Sequence, residues 1–354
     1  MNQQEKMQIV TEEKLSWFIK DCLQACGFQK EESGIIADSL VEADLRGLNT
    51  HGVIRIPMYL NRVRAGLINP QAQYAVLMNK ANLALLDAQN GMGQLASIAA
   101  MNLAIEKAGQ SSVGMVGVSN SNHFGTAAYY SMMAASRGFV GIACSNTEPL
   151  MAAIGGADAV VGNNPLSIAI PQEDRPDLVL DMAMSAAAIG KIVLAQKKDG
   201  SIPWGWATDK HGQETTSAEE ALDGGTLLPF SGPKGFGLAL VVDVISGILT
   251  GAGYGSQVHS PFTDFSSPQN VGHMFMAINI AEFMPLELFY QRIKDMMDML
   301  KSARKAPGIT EVYYPGEIES NTYQLRKQHG IPLPEKLLSE LNQYAQDLGV
   351  AHRL

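Results

Sequence analysis

Short apolar runs alternate with alanine-rich stretches of helical period between residues 82 and 195, and this alternation restricts how the chain can fold. Apolar runs followed by glycine predict strands, and the stretches between them predict helices that cover a sheet. The pattern indicates the α/β class, with a layered sheet covered by helices. Strands are predicted at ALLDA (84–88), VGMVGVSN (113–120), FVGIACSN (139–146), as a mutual pair in AVVGNNPLSIAI (159–170) and early in 177–195, with helices near 94–108 and 125–137.

The longest apolar run, residues 235–253, has about the length of a membrane span. It contains Asp243 near its middle and several glycines, so it predicts a buried helix instead. Further elements are predicted at 11–47 (a helical unit broken at Gly27), 273–280 (a strand), and 285–304 and 333–349 (amphipathic helices).

Charge and cysteine usage exclude several classes of protein. The net charge is −9 and no basic block is present, so the chain lacks the positive surface that neutralises phosphates in nucleic-acid binding. The N-terminal segment has no apolar core of a signal peptide. Three cysteines, an odd number, suit a reducing compartment, and we expect a cytoplasmic protein without membrane contact.

The segment NGMGQLA at 90–96 satisfies the GxGxxA form of the dinucleotide-binding fingerprint. The acid expected about 20 residues further on is missing, because that region reads GQSSVGMVG. An ordinary Rossmann fold is therefore the weaker interpretation. A helix start with small residues for close packing is the preferred one.

Polar residues follow four of the predicted strands, where open α/β sheets bind their ligands. We expect them to converge on one site. His123 lies in a polar, glycine-flanked setting that favours acid/base work near neutral pH, although a structural histidine is the commoner case. Asp181 is alternatively a charge that favours the start of a helix. The four groups are Ser119 to His123, Asn146 to Glu148, Asn163 with Asn164, and Asp181.

The segment SGPKGFG at 231–237 places Lys234 just before a long predicted helix. Free backbone donors at a helix N-terminus together with a lysine predict an anion site suited to a pyrophosphate. The spacing of a Walker loop is absent, which disfavours a nucleotide triphosphatase. No histidine or cysteine group has zinc-ligand spacing, so no metal is predicted.

The stretch NTHGVIRIPMYLNRVRAG at 49–66 spaces His51, Arg55 and Tyr59 four apart. Spacing by four predicts that His51 and Arg55 share one helical face, either as a solvated face or as parts of a site. Pro57 should bend or restart the helix before Tyr59. The remaining arginines of the stretch, Arg62 and Arg64, are interpreted as ordinary surface charge.

A family resemblance rests on ADLRGLNTHGVIRIPMYLNRVRAG, SNSNHFGTAAYY, GNNPLSIAIP, LVLDMAMSAAAIGK, LLPFSGPKGFGLALVVDVISGILTGA and VYYPGE. Together, over about 11–320, they resemble the malate/L-lactate dehydrogenase family. Within it, SIPWGWATDKHGQETT, GPKGFG and APGITEVYYPGE are most similar to the ureidoglycolate dehydrogenases. The resemblance implies an NAD(P)-dependent oxidoreductase with the non-Rossmann L-sulfolactate/malate dehydrogenase-like fold, forming a homodimer with the active site near the interface.

The resemblance also implies a division into domains and a set of site residues. A helical unit at 1–75 is joined by C-terminal helices at 310–354, and 76–309 form the cofactor-binding α/β domain. His123 and His51 fall on catalytic positions, with the choice of proton-transfer residue open, and Thr50, Arg55 and Tyr59 fall on substrate positions. Cofactor contacts fall on Thr147, Glu148, Asn163, Asp181, Met182, Ala183, Lys234, Gly235, Gly316 and Glu317.

Hydride transfer between a 2-hydroxy acid and nicotinamide is the reaction expected from this resemblance. The substrate would be of the ureidoglycolate, malate or lactate type. Glu148 would accept the adenosine ribose hydroxyls and repel a 2′-phosphate, which predicts NAD over NADP. One alternative is reduction of a 2-oxo acid or of a cyclic imine such as piperideine-2-carboxylate. An alternative of another class is a non-catalytic dimeric binding protein.

Overall fold

The computed structural model describes residues 6–197 and 200–354. Its strands are β1 (Met7–Val10), β2 (Ala75–Asn79), β3 (Leu83–Asp87), β4 (Val113–Ser121), β5 (Phe139–Ser145), β6 (Met151–Ala152), β7 (Ala159–Val161), β8 (Leu166–Ile170), β9 (Leu178–Met182), β10 (Ala207–Thr208), β11 (Glu214–Thr215), β12 (Val271–Asn279) and β13 (Ile331–Pro334). Its α-helices are α1 (Glu12–Ala25), α2 (Lys30–Leu45), α3 (Ile56–Arg64), α4 (Gly93–Ser111), α5 (Ala127–Ala135), α6 (Ile189–Lys197), α7 (Ala218–Leu222), α8 (Pro233–Asp243), α9 (Leu286–Lys301), α10 (Glu317–His329) and α11 (Glu335–Asp347).

A seven-stranded sheet in the order β2-β3-β4-β12-β5-β8-β9 forms the centre of the molecule. The pair β3 and β4 is parallel, and every other neighbouring pair in this sheet is antiparallel. Helices α4 and α5 cover one face through small side chains such as Ala100, Ala104 and Ala134, which are fully buried. The expectation of a non-Rossmann layered sheet covered by helices is confirmed.

The strand directions bring the predicted site segments to one edge of this sheet. Strands β4, β5 and β9 run the same way, because each is separated from the next by one antiparallel strand. The carboxyl ends of these three strands therefore lie at the same edge of the sheet as the amino ends of β8 and β12. The convergence expected for the four polar groups is thus produced by a mostly antiparallel sheet, in which ends and beginnings of strands alternate along the edge.

The prediction that AVVGNNPLSIAI forms two strands paired with each other is wrong. Strand β7 pairs with β6, whereas β8 pairs with β5 and β9. Between them the backbone of Asn164 takes a φ of 29°. Its side chain accepts from Thr147 N at 2.9 Å and donates to Ala239 O at 2.8 Å, which separates the two strands.

The prediction of a buried helix at 235–253 is also wrong. Helix α8 continues into a π-helical turn, Val244–Ile248, and one side of this continuous rod is exposed. Its exposed apolar residues, called the α8 face below, are Leu238, Leu240, Val241, Val244, Ile248 and Leu249, the last 63% exposed. On the other side Asp243 is buried and accepts from Asn146 Nδ2 at 2.9 Å. No helix in the described ranges is long and apolar enough to cross a membrane.

The N- and C-terminal segments share one hydrophobic core. Strand β1 pairs with β13 in antiparallel register, from Met7 opposite Pro334 to Val10 opposite Ile331. Apolar residues of α1, α2 and α3 are buried together with Leu338 and Leu341 of α11. This shared core supports a helical unit of residues 1–75 and 310–354, while the domain boundaries themselves stay a prediction.

Candidate active site

The turn that carries His51 and Arg55 consists of two short 3₁₀ segments, Asn49–His51 and Val53–Arg55, with Gly52 between them. The prediction that His51 and Arg55 share one helical face is therefore wrong. Helix α3 begins at Ile56 with Pro57 in its first turn, where a missing backbone donor is tolerated. The predicted restart of the helix before Tyr59 is confirmed.

Asp44, at the end of α2, holds this turn in place. Its Oδ2 accepts from Val53 N at 2.8 Å. Its backbone oxygen and Asn49 Oδ1 both accept from Nη1 of Arg326 in α10, the latter at 2.6 Å. The other carboxyl oxygen of Asp44 is buried without a partner, and burial raises the pKa of this group to about 7. The turn that carries His51 and Arg55 is therefore built against a carboxyl group that sequence reasoning did not single out.

The imidazoles of His51 and His123 lie face to face, with ring centroids 5.7 Å apart and planes inclined by 19°. Thr50 Oγ1 lies 2.9 Å from His51 Nδ1. Tyr59 Oη lies 2.7 Å from His123 Nδ1, and the tyrosine side chain is completely buried. The structure thus brings together the predicted catalytic pair. The Tyr59 hydroxyl, predicted to contact the substrate, is hydrogen-bonded to His123.

His123 follows β4 and is held from two sides. Its backbone N donates to Gln269 Oε1 at 2.8 Å, just before β12. A Cβ atom on Gly93 would lie 2.7 Å from His123 O and 2.2 Å from Asn122 O. Glycine is therefore needed where α4 meets this segment. The interpretation of NGMGQLA as a helix start with small residues for close packing is confirmed.

Gln94, in the first turn of α4, was missed by sequence reasoning. Its side chain is buried, and its Nε2 donates to Tyr59 Oη at 2.9 Å. A polar residue at the start of an otherwise alanine-rich helix was the available signal, but it fell inside the discounted NGMGQLA motif. Gln94, Tyr59 and His123 form one hydrogen-bonded chain.

Arg55 is the cation of the site. Its Cζ lies 4.9 Å from the centroid of the Phe262 ring, a cation–π contact. Its Nε is buried and has no hydrogen-bond partner. A buried, unpaired guanidinium donor favours an anionic ligand, and a carboxylate matches its planar geometry.

Phe262 belongs to the capping loop, residues 259–270, which lies over the site and is anchored by Arg62. Arg62 Nη1 donates to Asp264 O at 2.7 Å and Nη2 donates to Ser267 O at 3.1 Å. Arg62 is 1% exposed, so its interpretation as surface charge is wrong, whereas Arg64 is exposed as expected. Its partners are backbone oxygens some 200 positions away (|i−j| 202 and 205), which no local pattern reveals.

Burial and positive neighbours lower the pKa of both histidines of the predicted catalytic pair. Burial, reinforced by the Arg55 charge, lowers the pKa of His51 to about 3. Burial also lowers the pKa of His123 well below its ordinary value, with Arg55, His51 and His273 adding to the effect. The expectation that His123 titrates near neutral pH is wrong, because its neighbours Ser121, Asn122 and Phe124 are buried although the segment is polar.

His273 supports the floor of the site from the middle of the sheet. It is fully buried in β12, and its two ring nitrogens lie 2.8 Å from Ser145 Oγ and 2.8 Å from Ser121 Oγ. Its ring stacks on Phe124 with centroids 4.5 Å apart. It therefore ties the ends of β4 and β5 together directly beneath the residue that follows His123.

Several predicted cofactor residues form one hydrogen-bonded strip. Thr147 Oγ1 donates to Asn163 Oδ1 at 3.0 Å, and the Asn163 backbone oxygen accepts from Met184 N at 2.7 Å, next to Met182 and Ala183. The strip continues to α8, since Phe230 N donates to Met184 O at 3.0 Å and Gly235 N donates to Phe230 O at 3.2 Å. The exposed side chain of Lys234 stands at the start of that helix.

Glu148 and Asp181 flank this strip. Burial raises the pKa of the Glu148 carboxyl, and Arg55 and Arg62 counteract the shift, so its charged neighbours lie on the Arg55 side of the site. Its predicted contact with the adenosine ribose stays a prediction. Asp181 is exposed in β9, with Oδ2 3.4 Å from Ala128 N in the first turn of α5. Asp181 therefore stands as a charge at the start of a helix, as the alternative held, although that helix is α5 and not one that Asp181 opens itself.

Gly316 and Glu317 are placed against β9 and α9. A Cβ atom on Gly316, which has a φ of 91°, would lie 2.8 Å from Val179 Cβ. Glu317 Oε1 pairs with Lys301 Nζ at 2.7 Å, and its Oε2 accepts from Tyr314 N at 3.3 Å. The structure shows both residues in these structural contacts, and their predicted cofactor role stays a prediction.

The arrangement is that of an enzyme site: two stacked imidazoles and a half-buried guanidinium with a buried, unpaired Nε stand beside a polar strip that ends at a helix N-terminus. The sequence profile of the family described as Malate/L-lactate dehydrogenase matches residues 10–342. The chain belongs to this family.

Individual relatives agree with that assignment. A malate dehydrogenase from Pyrococcus abyssi is 40% identical over 348 residues, covering 96% of this chain and 95% of the relative. A ureidoglycolate dehydrogenase (NAD(+)) from Escherichia coli is 35% identical over 332 residues, covering 94% of each. The solved sulfolactate dehydrogenase of Methanocaldococcus jannaschii superposes with a TM-score of 0.91 at 38% identity, covering 97% of this chain and 98% of that one.

Proposed function

We propose that this protein transfers a hydride between a small 2-hydroxy acid and the nicotinamide of NAD. The observation that carries the proposal is the stacked pair of His51 and His123 next to a half-buried Arg55 whose buried Nε lacks a partner. To oxidise a 2-hydroxy acid, the protein must bind the carboxylate of the substrate and accept the proton of its hydroxyl group. The names of the relatives agree with this substrate class.

Arg55 holds the substrate carboxylate through two parallel N–H···O bonds, while the Phe262 ring keeps the guanidinium in one orientation. Binding of a carboxylate satisfies the orphaned Nε and offsets the positive charge that depresses the histidine pKa values. The carbinol oxygen then lies between the two imidazoles, one of which takes its proton. The capping loop shields the reacting atoms from water.

The residues present fit a nicotinamide dinucleotide. The cofactor, when bound, supplies the acceptor carbon for the hydride. The hydroxyl of Thr147 and the amide of Asn163 offer donors and acceptors along the strip, and the N-terminus of α8 with Lys234 suits the diphosphate. A Cβ atom on Gly235 would lie 2.2 Å from Phe230 O, so only glycine lets this helix start so close to the strip.

A substitution of Arg55 tests the substrate class. Arg55→Met should raise KM for the hydroxy acid about 10- to 100-fold, since a charge-assisted pair contributes about 1.5–3 kcal/mol. KM for the cofactor should stay within about twofold. A panel of malate, lactate, sulfolactate, ureidoglycolate and a cyclic imine, each with NAD and NADP, identifies the substrate. An unchanged KM for the preferred acid contradicts the role of Arg55.

The choice of NAD depends on Glu148. A carboxylate beside the cofactor strip disfavours the 2′-phosphate of NADP. The ratio of kcat/KM for NAD over NADP should exceed one in the wild-type enzyme and fall in Glu148→Gln. Arg55 and Arg62 both interact with the charge of Glu148, so Glu148→Gln can also affect binding of the hydroxy acid. KM for the acid should therefore be measured in the same variant. A preference for NADP in the wild-type enzyme contradicts the proposal.

The α8 face supports a homodimer with the active site near the interface. Contiguous exposed apolar surface on a soluble chain marks an interaction site, and this patch begins four residues after Lys234 at Leu238. A cytoplasmic location goes with this proposal, since Cys22, Cys26 and Cys144 are all free. Leu249→Glu should shift the sedimenting species to a monomer, whereas Leu325→Glu, at an exposed site on α10, should not. A wild-type monomer at micromolar concentration contradicts the proposal.

A further inference from the structure

We propose that Tyr59 fixes His123 as the imidazole tautomer with its proton on Nε2, and that proton transfer therefore falls to His51. In this division of labour His123 donates a hydrogen bond to the substrate oxygen. Tyr59 is then a positioning residue that acts through His123. The inference rests on the proposed function, and it assigns the two histidines of that site different roles.

A fixed backbone donor and a hydroxyl group that can donate both lie against the same nitrogen of His123. Gly125 N lies 3.4 Å from His123 Nδ1 and, as a backbone N–H, can only donate. Tyr59 Oη lies 2.7 Å from the same atom. A ring nitrogen that accepts must present its lone pair, so the proton of the neutral ring resides on Nε2.

Gln94 sets the direction of the Tyr59 hydroxyl. Gln94 Nε2 donates to Tyr59 Oη at 2.9 Å, and the hydroxyl then gives its single hydrogen to His123. If the Gln94 amide were turned over, Tyr59 would donate to it, and a proton on His123 Nδ1 would face the N–H of Gly125. Two donors would then oppose each other, so the backbone contact selects the first arrangement.

This tautomer leaves His123 without a lone pair on Nε2. It cannot take the hydroxyl proton there, and passing a proton to Tyr59 is blocked because the phenol already holds its own. His51 differs, since its Nδ1 meets the hydroxyl of Thr50, which accepts as readily as it donates. With Nδ1–H donated to Thr50, the Nε2 of His51 keeps a free lone pair.

The proton balance of the oxidation then follows. The substrate C–H bond breaks with transfer of the hydride to nicotinamide, and the O–H bond breaks with transfer of the proton to His51 Nε2. The products are a 2-oxo acid, the reduced nicotinamide and a protonated His51. The Nε2–H of His123 stays in place and stabilises the charge that develops on the oxygen.

Nuclear magnetic resonance of the substrate-free protein tests the tautomer without any turnover. Long-range ¹H–¹⁵N correlations on ¹⁵N-histidine-labelled protein separate the two neutral tautomers, and the signals that vanish in His123→Gln belong to His123. The expected pattern places the proton on Nε2. Tyr59→Phe should shift it toward a mixture of tautomers, whereas Tyr129→Phe, which removes a hydroxyl bonded to Asp38 outside the site, should leave it unchanged. A wild-type proton on Nδ1 overturns the proposal.

Kinetics test the division of roles. His51→Ala should lower kcat about 10²- to 10⁴-fold, as expected for loss of a general base. His123→Gln retains an N–H donor and should lose about tenfold or less, comparable to one hydrogen bond. Equal, large losses in both variants overturn the proposal. If the wild-type enzyme oxidises none of the hydroxy acids, the proposed function fails, while the tautomer is still decided by the resonance pattern.

Discussion

A Cβ atom placed on Gly52 would lie 2.1 Å from the Cγ of Asp44, well inside contact distance. The backbone at Gly52 thus lies directly on a buried carboxyl group, and the two 3₁₀ segments that carry His51 and Arg55 lie on either side of this point. Sequence spacing would place His51 and Arg55 on one helical face. The close approach of Gly52 to Asp44 interrupts the helix between them, so they do not share a face.

Gly52→Ala should therefore displace the turn. The methyl group needs more than an ångström of movement, so we expect a loss of stability of about 1–3 kcal/mol. We also expect kcat/KM to fall at least about tenfold, since small displacements of reacting groups reduce rates strongly. Urea unfolding and steady-state kinetics measure both. Gly109→Ala in α4, where a Cβ meets nothing within 4 Å, serves as the control and should be neutral or stabilising.

Asp44→Asn should change how stability depends on pH. Burial raises the folded-state pKa of Asp44 to about 7, whereas the unfolded value is about 3.9. Between these values the folded state keeps a proton that the unfolded state has released, so wild-type stability falls as pH rises. Asparagine preserves an acceptor for Val53 N and carries no such penalty. The variant should gain stability relative to wild type from pH 4 to pH 7; parallel curves for the two proteins contradict the assignment.

Arg62→Met should loosen the capping loop. Two backbone oxygens of half-buried residues, Asp264 and Ser267, lose their donors, and the loss of stability should reach at most the roughly 1–3 kcal/mol of a buried unsatisfied acceptor. Because the same loop presents Phe262 to Arg55, KM for the acid should rise as well. Arg64→Met removes an exposed arginine of the same helix and should change stability by less than about 0.5 kcal/mol. Equal effects of the two substitutions would show that the loop is held by other contacts.

The pH profile of kcat/KM in the oxidation direction should be flat from about pH 5 to pH 8. Profiles of kcat/KM report groups of the free enzyme, and burial with the Arg55 charge lowers the pKa of His51 to about 3. The base is thus already unprotonated throughout this range, and its activity should decline only at lower pH. A decline centred near the ordinary histidine value of about 6.5 contradicts the buried, depressed state.

Local patterns predicted the secondary structure well where they depended on burial alone. The alternation of apolar runs located β3, β4, β5 and β9 together with helices α4 and α5, and a separate apolar run located β12. It could not predict partners, since β7 and β8 were expected to pair and instead join different sheets. The exposure of the α8 face could not be predicted either. An apolar residue in the sequence does not show whether its side chain packs against this chain or against another.

The site residues likewise divide into those that local sequence patterns identify and those that depend on contacts between distant parts of the chain. His51, His123 and Arg55 carry recognisable motifs, and the structure brings them together. Arg62, Gln94 and Asp44 do not, because their partners are backbone atoms or side chains distant in the chain. The misjudged pKa of His123 has the same origin: the sequence around it is polar, and the enclosure comes from α3, α4 and the capping loop.

Arg326 of α10 reaches back across the chain to Asn49 and to the backbone of Asp44, next to the turn that carries His51 and Arg55. Because Arg326 lies 277 positions after Asn49, a ribosome makes this brace only after the strands of the central sheet. A nascent chain with a finished central sheet therefore still lacks one of the contacts that hold the turn in place.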